Sequence, residues 1–190
     1  MKRAFDIIMS LGAIIVLLPV FLITSLVVLI TDGSPVIYKQ KRVGKDAKLF
    51  TIYKFRTMKN GTRVAATNDL TESESQITKC GGLLRKTSLD ELPQLINILK
   101  GDMSFVGPRP LIPEEEEIHA LRLEHGVYAV RPGLTGLAQV NGRDKVSIEE
   151  KVKLDSEYVE NRTLGLDIKI FFKTFVNVFK MSDVVEGGHS

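Results

Sequence analysis

The chain has 190 residues, enough for one domain with a real core and no more. A formal net charge of +3 is no nucleic-acid signature, and a hydrophobic share of 44% beside 26% charged residues is high for a soluble protein, with the excess gathered near the N-terminus. The one cysteine, Cys80, excludes an intrachain disulfide; with no metal-type Cys/His spacing around it, it reads as a small apolar residue facing a reducing cytosol.

The first element runs from Phe5 to Ile30, and no charge lies between Asp6 and Asp32. That run is long enough to cross a bilayer as a helix. No small-residue cleavage site follows it, which speaks against a signal peptide. Pro19, near its middle, removes a hydrogen bond and bends the helix. Lys2 and Arg3 precede the run, and Lys39, Lys41, Arg42, Lys45 and Lys48 follow it, so each end prefers the cytoplasm. A helix that enters one leaflet and returns satisfies both ends. A kinked transmembrane helix is the other reading, and the residues leave both open.

Asp32-Gly33-Ser34-Pro35 is a turn cluster that ends this segment. Val36 to Gln40 and Leu49 to Phe55 then read as strands around the turn Val43-Gly44-Lys45-Asp46, which predicts a β-hairpin. Alternation puts Phe50, Ile52 and Lys54 on one side and Thr51, Tyr53 and Phe55 on the other. Lys54, Arg56 and Lys59 form a basic run. Gly44-Lys45 is no P-loop, because the upstream Gly is absent and no Ser or Thr follows. Asn60 to Lys79 is polar and without periodicity, a surface loop over or beside the site. Gly81-Gly82 then precede a short helical turn, Leu83-Leu84-Arg85-Lys86.

The central stretch runs from Ser88 to Pro110. Leu92, Leu95, Ile96 and Leu99 recur at helical spacing and predict a buried face, with Asp90, Gln94 and Asn97 together on the opposite one. Ser88-Leu89-Asp90-Glu91 also fits a capping box, which is the plainer reading of an acidic first turn. Pro93 lies past that first turn, so either the helix starts nearer Asp90 or its first turn is irregular.

Pro113 followed by Glu114 to Glu117 predicts a helix through about Glu124, its Glu run a solvated face. Arg131-Pro132-Gly133-Leu134-Thr135-Gly136 and Gln139-Val140-Asn141-Gly142-Arg143-Asp144 place backbone N–H groups and guanidinium groups on tight turns, a surface suited to phosphate oxygens. Neither has the spacing of a dinucleotide site. Ser147-Ile148-Glu149-Glu150 is a second capping box and opens a helix to about Asn161. Leu166 to Met181 predicts the last helix, with Lys169, Lys173, Asn177 and Lys180 as a polar stripe on an otherwise apolar surface. A helix in the membrane interface and a buried core helix both fit that pattern. The end, Gly187 to Ser190, reads as unstructured.

Lys54, Arg56, Arg85, Arg109, Arg131 and Arg143 cluster around turns, with Asp90 and Glu91 between them. Many cations around two carboxylates point to phosphoryl transfer with a divalent metal, since Mg²⁺ takes one or two carboxylates plus substrate phosphates. A free carboxylate can also attack phosphorus to give an acyl phosphate. His119, His125 and His189 lie in charged or terminal contexts without a Ser or Cys motif, which leaves nucleophilic serine or cysteine chemistry unsupported.

In order and spacing the chain resembles the monotopic phosphoglycosyl transferases of the bacterial sugar transferase family, as their minimal catalytic unit. The blocks are Lys2-Arg3 with Phe5-Asp6 before a Pro-broken apolar helix, Tyr53-Lys54-Phe55-Arg56-Thr57-Met58, Ser88 to Leu95, Lys100-Gly101-Asp102-Met103-Ser104, Val106-Gly107-Pro108-Arg109-Pro110, Arg131 to Gly136, and Asn141-Gly142-Arg143. One departure is that Pro19 follows Leu18, where the best-known pattern has Ser-Pro.

The resemblance implies an α+β fold, mostly α. Residues 1–32 would be a re-entrant membrane helix broken at Pro19, and residues 33–190 a catalytic domain on the cytoplasmic face, with a β-hairpin and amphipathic helices at the membrane interface. It implies transfer of a sugar-1-phosphate from a UDP-sugar to undecaprenyl phosphate with release of UMP, the first membrane step of a bacterial surface glycan such as a capsule. Asp90 would attack phosphorus and form a phosphosugar-aspartyl intermediate. Asp90 and Glu91 would hold Mg²⁺. Pro108, Arg109 and Pro110 would bind the nucleotide side, with Lys54, Arg56, Arg85, Arg131 and Arg143 toward phosphates. The enzyme would sit in the bacterial inner membrane and bind its lipid; a homodimer is compatible with this, and nucleic acid is not a partner. Two other readings remain: a membrane-anchored scaffold without catalysis, and a single-step transferase in which Asp90 is only a metal ligand.

Overall fold

The computed structural model describes residues 2–62, 76–142 and 147–179. Most of the Asn60–Lys79 loop, Arg143, Lys180 and the C-terminal end lie outside the described residues. The apolar N-terminal run forms two helices, α1 (Lys2–Val16) and α2 (Leu18–Asp32), bent by 62° at Leu17. Pro19 sits in the first turn of α2, where a missing N–H breaks the helix behind it without costing a bond ahead. No single helix among the described residues is long and apolar enough to cross a membrane. Each of the two has 15 residues, a length of about 22 Å against a hydrocarbon core of about 30 Å.

Both outer ends of this pair are tied to the rest of the chain. At the start of α1, Lys2 Nζ lies 2.5 Å from Asp167 Oδ2, and Arg3 donates to the carbonyls of Ile98 (2.5 Å) and Leu99 (2.9 Å). Asp6, buried, accepts from Ser104 Oγ at 3.0 Å and from the Phe105 amide. At the end of α2, Arg56 Nη2 donates to the carbonyls of Asp32 (2.5 Å) and Gly33 (2.7 Å). Between these ends the helices expose Ile8 (70%), Val16 (75%) and Ile30 (74%), with further large apolar side chains around them.

The hairpin forms as expected, with β1 (Ile37–Val43) longer than predicted and β2 (Leu49–Phe55) antiparallel to it in the register Ile37↔Phe55 to Val43↔Leu49. Helix α3 (Lys79–Lys86) takes Gly81 and Gly82 inside it, rather than after them. Gly81 is required there, since a Cβ would lie 2.2 Å from the Thr57 carbonyl oxygen. Helix α4 (Gln94–Lys100) lies on β2, and its burial differs from the predicted faces. Ile96 is exposed, whereas Gln94 and Asn97 are buried with Leu95 and Ile98. The cause is Asn97, whose amide donates to the Thr51 carbonyl (2.7 Å) and accepts from the Tyr53 N–H (3.0 Å), replacing a third strand along β2.

Strand β3 (Ser104–Val106) pairs in parallel with β4 (Gly133–Thr135). Helices α5 (Glu116–Glu124), α6 (Leu137–Val140), α7 (Ile148–Asn161) and α8 (Leu164–Phe179) complete the order. Helix α5 starts three residues after Pro113. The N-cap half of the second capping box is formed: Ser147 Oγ accepts from the Glu150 N–H at 3.3 Å. The largest core joins Ile52, Leu95, Ile98, Met103, Phe105, Tyr158 and Ile170, and Ala13, Ile14, Leu17 and Phe21 of the bent pair pack against it. On α8, Ile170 and Asp167 face this core, while Leu164, Ile168, Phe172 and Val176 form an exposed apolar stripe at four-residue spacing.

Candidate active site at Asp90 and Glu91

Asp90 and Glu91 lie in a single 3₁₀ turn, Leu89–Glu91, which precedes α4. The capping box predicted at Ser88 is absent. Ser88 has φ 56° and makes no side-chain capping bond, and the helix proper begins only after Pro93. The first turn is irregular because Pro93 cannot donate, as its position allowed. Asp90 is 8% exposed. Burial pushes its pKa up to about 6, and the Glu91 charge adds to this, while Lys54 and Arg85 hold it down. Desolvation is the largest effect on this carboxyl, larger than the pull of the cations around it. The group is still mostly ionised at neutral pH.

Lys54, from β2, lies 2.7 Å from Glu91 Oε1. The alternation of the hairpin delivers it there, since Lys54 shares a side with Ile52 while Phe55 turns into the second core with Val28 and Leu84. Beside this pair runs a cleft lined by Arg42, Lys54, Glu91, Gln94, Arg109 and Pro110, with Gly133 and Leu134 at its edge. Two of the nucleotide-side residues expected from sequence, Arg109 and Pro110, thus meet Lys54 and Glu91. Pro108 lies on the far side of Arg109, facing Arg122 and Tyr128.

The other expected cations have different placements. Arg56 is buried with its guanidinium at the end of α2 and on Asn60 Oδ1 (2.8 Å), so the structure places it at a helix end and outside the lining of the cleft. Arg131 Nε donates to the Gly101 carbonyl at 2.7 Å and caps α4 instead of lining the cleft. Arg85 Nε is bound to Thr57 Oγ1 at 3.0 Å, yet its charge reaches Asp90. Arg143 lies outside the described residues. The glycines of the Arg131–Gly136 turn serve close packing: a Cβ on Gly133 would lie 2.1 Å from the Gly107 nitrogen, and one on Gly136 2.2 Å from the Gly107 oxygen.

The cleft contains one residue that sequence reasoning passed over. Arg42 was visible only as one of several basic residues after the membrane segment. Its Nη2 donates to Gln40 Oε1 (2.6 Å) and its Nη1 to the Pro110 carbonyl (3.3 Å).

Asp90 and Glu91 suit a divalent ion of the Mg²⁺ type. They are two adjacent carboxylates, the charge of one raises the pKa of the other, and a cation would relieve that repulsion. Among the described residues no group of three or more His, Cys, Asp and Glu could form an all-protein metal cage.

A model of the family described as bacterial sugar transferase matches residues 1–181. The exopolysaccharide production protein ExoY of Sinorhizobium fredii is 40% identical over 188 residues, which cover 91% of this chain and 83% of that protein. The undecaprenyl-phosphate galactose phosphotransferase of Salmonella typhimurium is 42% identical over 92% of this chain and 39% of its own greater length. The UDP-glucose:undecaprenyl-phosphate glucose-1-phosphate transferase of Escherichia coli is 39% identical over 95% of this chain and 40% of its own length. With nearly all of its residues matched, and with a buried carboxylate beside a cationic cleft where the family motifs converge, the chain belongs to the bacterial sugar transferase family, enzymes of the phosphoglycosyl transferase type.

Proposed function

We propose that the chain transfers a sugar-1-phosphate from a UDP-sugar to undecaprenyl phosphate, releasing UMP, through a covalent intermediate on Asp90, in the assembly of an exopolysaccharide. The relatives' names support the two substrates and the pathway class. The observation that carries the covalent step is the setting of Asp90: a buried carboxylate whose pKa is raised by desolvation and which Lys54 and Arg85 still keep ionised. Desolvation makes the anion a better nucleophile, and the cations make phosphate approach favourable.

In the first half-reaction an Asp90 oxygen attacks the phosphorus bonded to the sugar. The bond from that phosphorus to the bridging oxygen breaks, and its electron pair leaves with UMP. In the second, a phosphate oxygen of the lipid attacks the same phosphorus, the acyl-phosphate bond breaks, and the Asp90 carboxylate returns. Lys54 offsets charge on the phosphoryl oxygens, and Arg109 holds the nucleotide side. Asp90 and Glu91 would hold Mg²⁺, which would supply further neutralisation of phosphate charge.

The bent helix pair is a re-entrant anchor in the inner membrane, with both ends at the cytoplasmic face. Two ties support this: Lys2 and Arg3 bind α8 and α4, and Arg56 binds the end of α2, so both ends belong to the same body. The exposed stripe on α8 rests on the membrane surface, which brings the site to headgroup depth.

Incubation with UDP-sugars and Mg²⁺, without lipid, followed by intact-protein mass spectrometry, tests the reading. A phosphosugar adduct that maps to Asp90 is expected. An enzyme that turns over with lipid but never accumulates the adduct without it would support a single-step transferase instead.

A further inference from the structure

We infer that Arg42 and Arg109 together form a two-guanidinium clamp on the phosphate that departs with the nucleotide; the inference rests on the phosphoryl-transfer reading above. Both arginines line the cleft beside Glu91. Lys54 has Glu91 as its ion-pair partner, but among the described residues neither Arg42 nor Arg109 forms an ion pair. Two guanidinium groups held side by side repel each other unless an anion lies between them.

Arg42 is fixed in this position. Its two terminal nitrogens are bound to Gln40 and Pro110, and its Nε is buried without a partner. Burial lowers its pKa to about 10, and the Arg109 charge adds to that, so it remains a cation at neutral pH. Glu115, Tyr38 and Glu91 oppose the shift. Of these, Glu115 is committed elsewhere, accepting from the Ile112 N–H at 3.0 Å.

The cations divide around Glu91. Lys54 sits on Glu91 at 2.7 Å, next to Asp90, while Arg42 and Arg109 share the cleft with Pro110. Arg109 and Glu91 act on Arg42. A diphosphate laid along the cleft with one phosphorus toward Asp90 has Lys54 beside that phosphorus and Arg42 with Arg109 in the same lining for the other. When the bridging P–O bond breaks, the electron pair goes to the UMP phosphate, and two fork-shaped donors meet the new charge there.

The test is direct binding of UMP and of uridine to the full chain in lipid nanodiscs, measured calorimetrically, for wild type, Arg42→Gln and Arg42→Lys. Arg42→Gln is expected to weaken UMP at least tenfold and uridine less than twofold. Arg42→Lys keeps a charge but loses the fork, and is expected to weaken UMP severalfold, which keeps the inference testable if Arg42→Gln folds poorly. In an Arg109→Gln background, Arg42→Gln should weaken UMP further. Equal weakening of UMP and uridine would mean that Arg42 only holds the turn through Pro110, and would overturn the clamp, as would unchanged UMP binding. A wild type that binds UMP through its phosphate but releases none from any UDP-sugar would overturn the proposed function and leave the clamp standing.

Discussion

Arg122 donates from Nη1 to the backbone carbonyl of Arg109 at 2.8 Å. This bond is one of five on consecutive carbonyls. Pro108 accepts from the Gly133 N–H (2.9 Å), Pro110 from Arg42 (3.3 Å), Leu111 from the Val43 N–H (3.0 Å) and Ile112 is paired with His119 Nε2 (2.7 Å). The Pro-Arg-Pro segment is thus held from both sides, by the hairpin and by α5, and the Arg109 side chain is carried on a fixed backbone.

Arg122 is itself held by Asp155 of α7, at 2.5 Å, and both side chains are buried. Burial raises the Asp155 pKa and the Arg122 charge opposes this. Arg122→Ala leaves a buried carboxylate unpaired and should cost about 3–5 kcal/mol of stability. The double change Arg122→Met with Asp155→Leu should recover most of that loss, because the desolvation penalty goes with the pair. It should not recover kcat/KM, which is expected to stay roughly tenfold low, since the Arg109 carbonyl still lacks its donor. Thermal melting beside steady-state kinetics separates the two effects; full recovery of both would show the pair to be structural only.

Asp90 should destabilise the resting protein. Its folded pKa, about 6, lies above the ordinary 3.8, so folding favours the protonated form. The corresponding stability is present below about pH 4 and is lost as pH rises through about 6. Asp90→Asn is therefore expected to abolish transfer yet raise stability by on the order of 2–3 kcal/mol at pH 7, with no gain at pH 4. Chemical denaturation in EDTA across that range is the measurement, and a pH-independent difference would contradict it.

On the proposed mechanism the same carboxylate should set the acidic limb of activity: attack would need the anion, so kcat/KM should fall about tenfold per unit below pH 6. Lys54 is the strongest influence holding this pKa down, and Glu91 pushes it up. Lys54→Met should move the limb to higher pH and Glu91→Gln to lower pH, whatever each does to the maximal rate. Limbs that move together, or not at all, would remove Asp90 as the titrating group.

The hairpin, the Ser147 cap and α8 were legible in the sequence because each is a local pattern: strand alternation around a Gly turn, a Ser three residues before a Glu, a helical apolar repeat. The faces of α4 were not. Ile96 is as apolar as Leu95, but the buried position belongs to Asn97, whose amide is matched to strand carbonyl and N–H groups 44 to 46 residues away. Chemistry and motif singled out Asp90 and Glu91 as the candidate site. The basic residues around them were less legible: Arg56 and Arg131 read as phosphate ligands and sit at helix ends, whereas Arg42 read as a membrane-flanking charge and lines the cleft. Where an arginine side chain ends depends on which helix terminus or turn the fold brings near it, and spacing along the chain carries no record of that.

The glycines of the Arg131–Gly136 turn give a packing prediction. Gly136→Ala would place a Cβ 2.2 Å from the Gly107 oxygen and 2.4 Å from Gln139 Oε1. The backbone atom cannot yield without moving β3, which leads directly into Pro108. The expected outcome is a loss of about 1–3 kcal/mol or more in stability with reduced nucleotide binding, read by melting and by UMP affinity together. Gly82→Ala meets nothing within 4 Å and sits inside α3, so it should be neutral or slightly stabilising, which provides the control.

The topology of the bent pair gives the last prediction. A single span would put the two ends of the pair on opposite sides of the bilayer, whereas the proposed re-entrant pair keeps both ends, and the side-chain ties they make, on one side. In a Cys80→Ala background, Ala4→Cys and Lys39→Cys are both exposed reporters, one at each end. Both should react with a membrane-impermeant thiol reagent only in inside-out vesicles. Reaction of either from the outside in sealed cells would restore the spanning helix. A helix pair of this kind also depends on its break: Pro19→Ala removes the residue that frees the backbone behind it, and should straighten the pair toward one long apolar helix. The Ala4 reporter should then become accessible from the outer face in part of the molecules, and transfer activity should fall in the same proportion, because Arg3 and Asp6 lose their hold on α4 and β3.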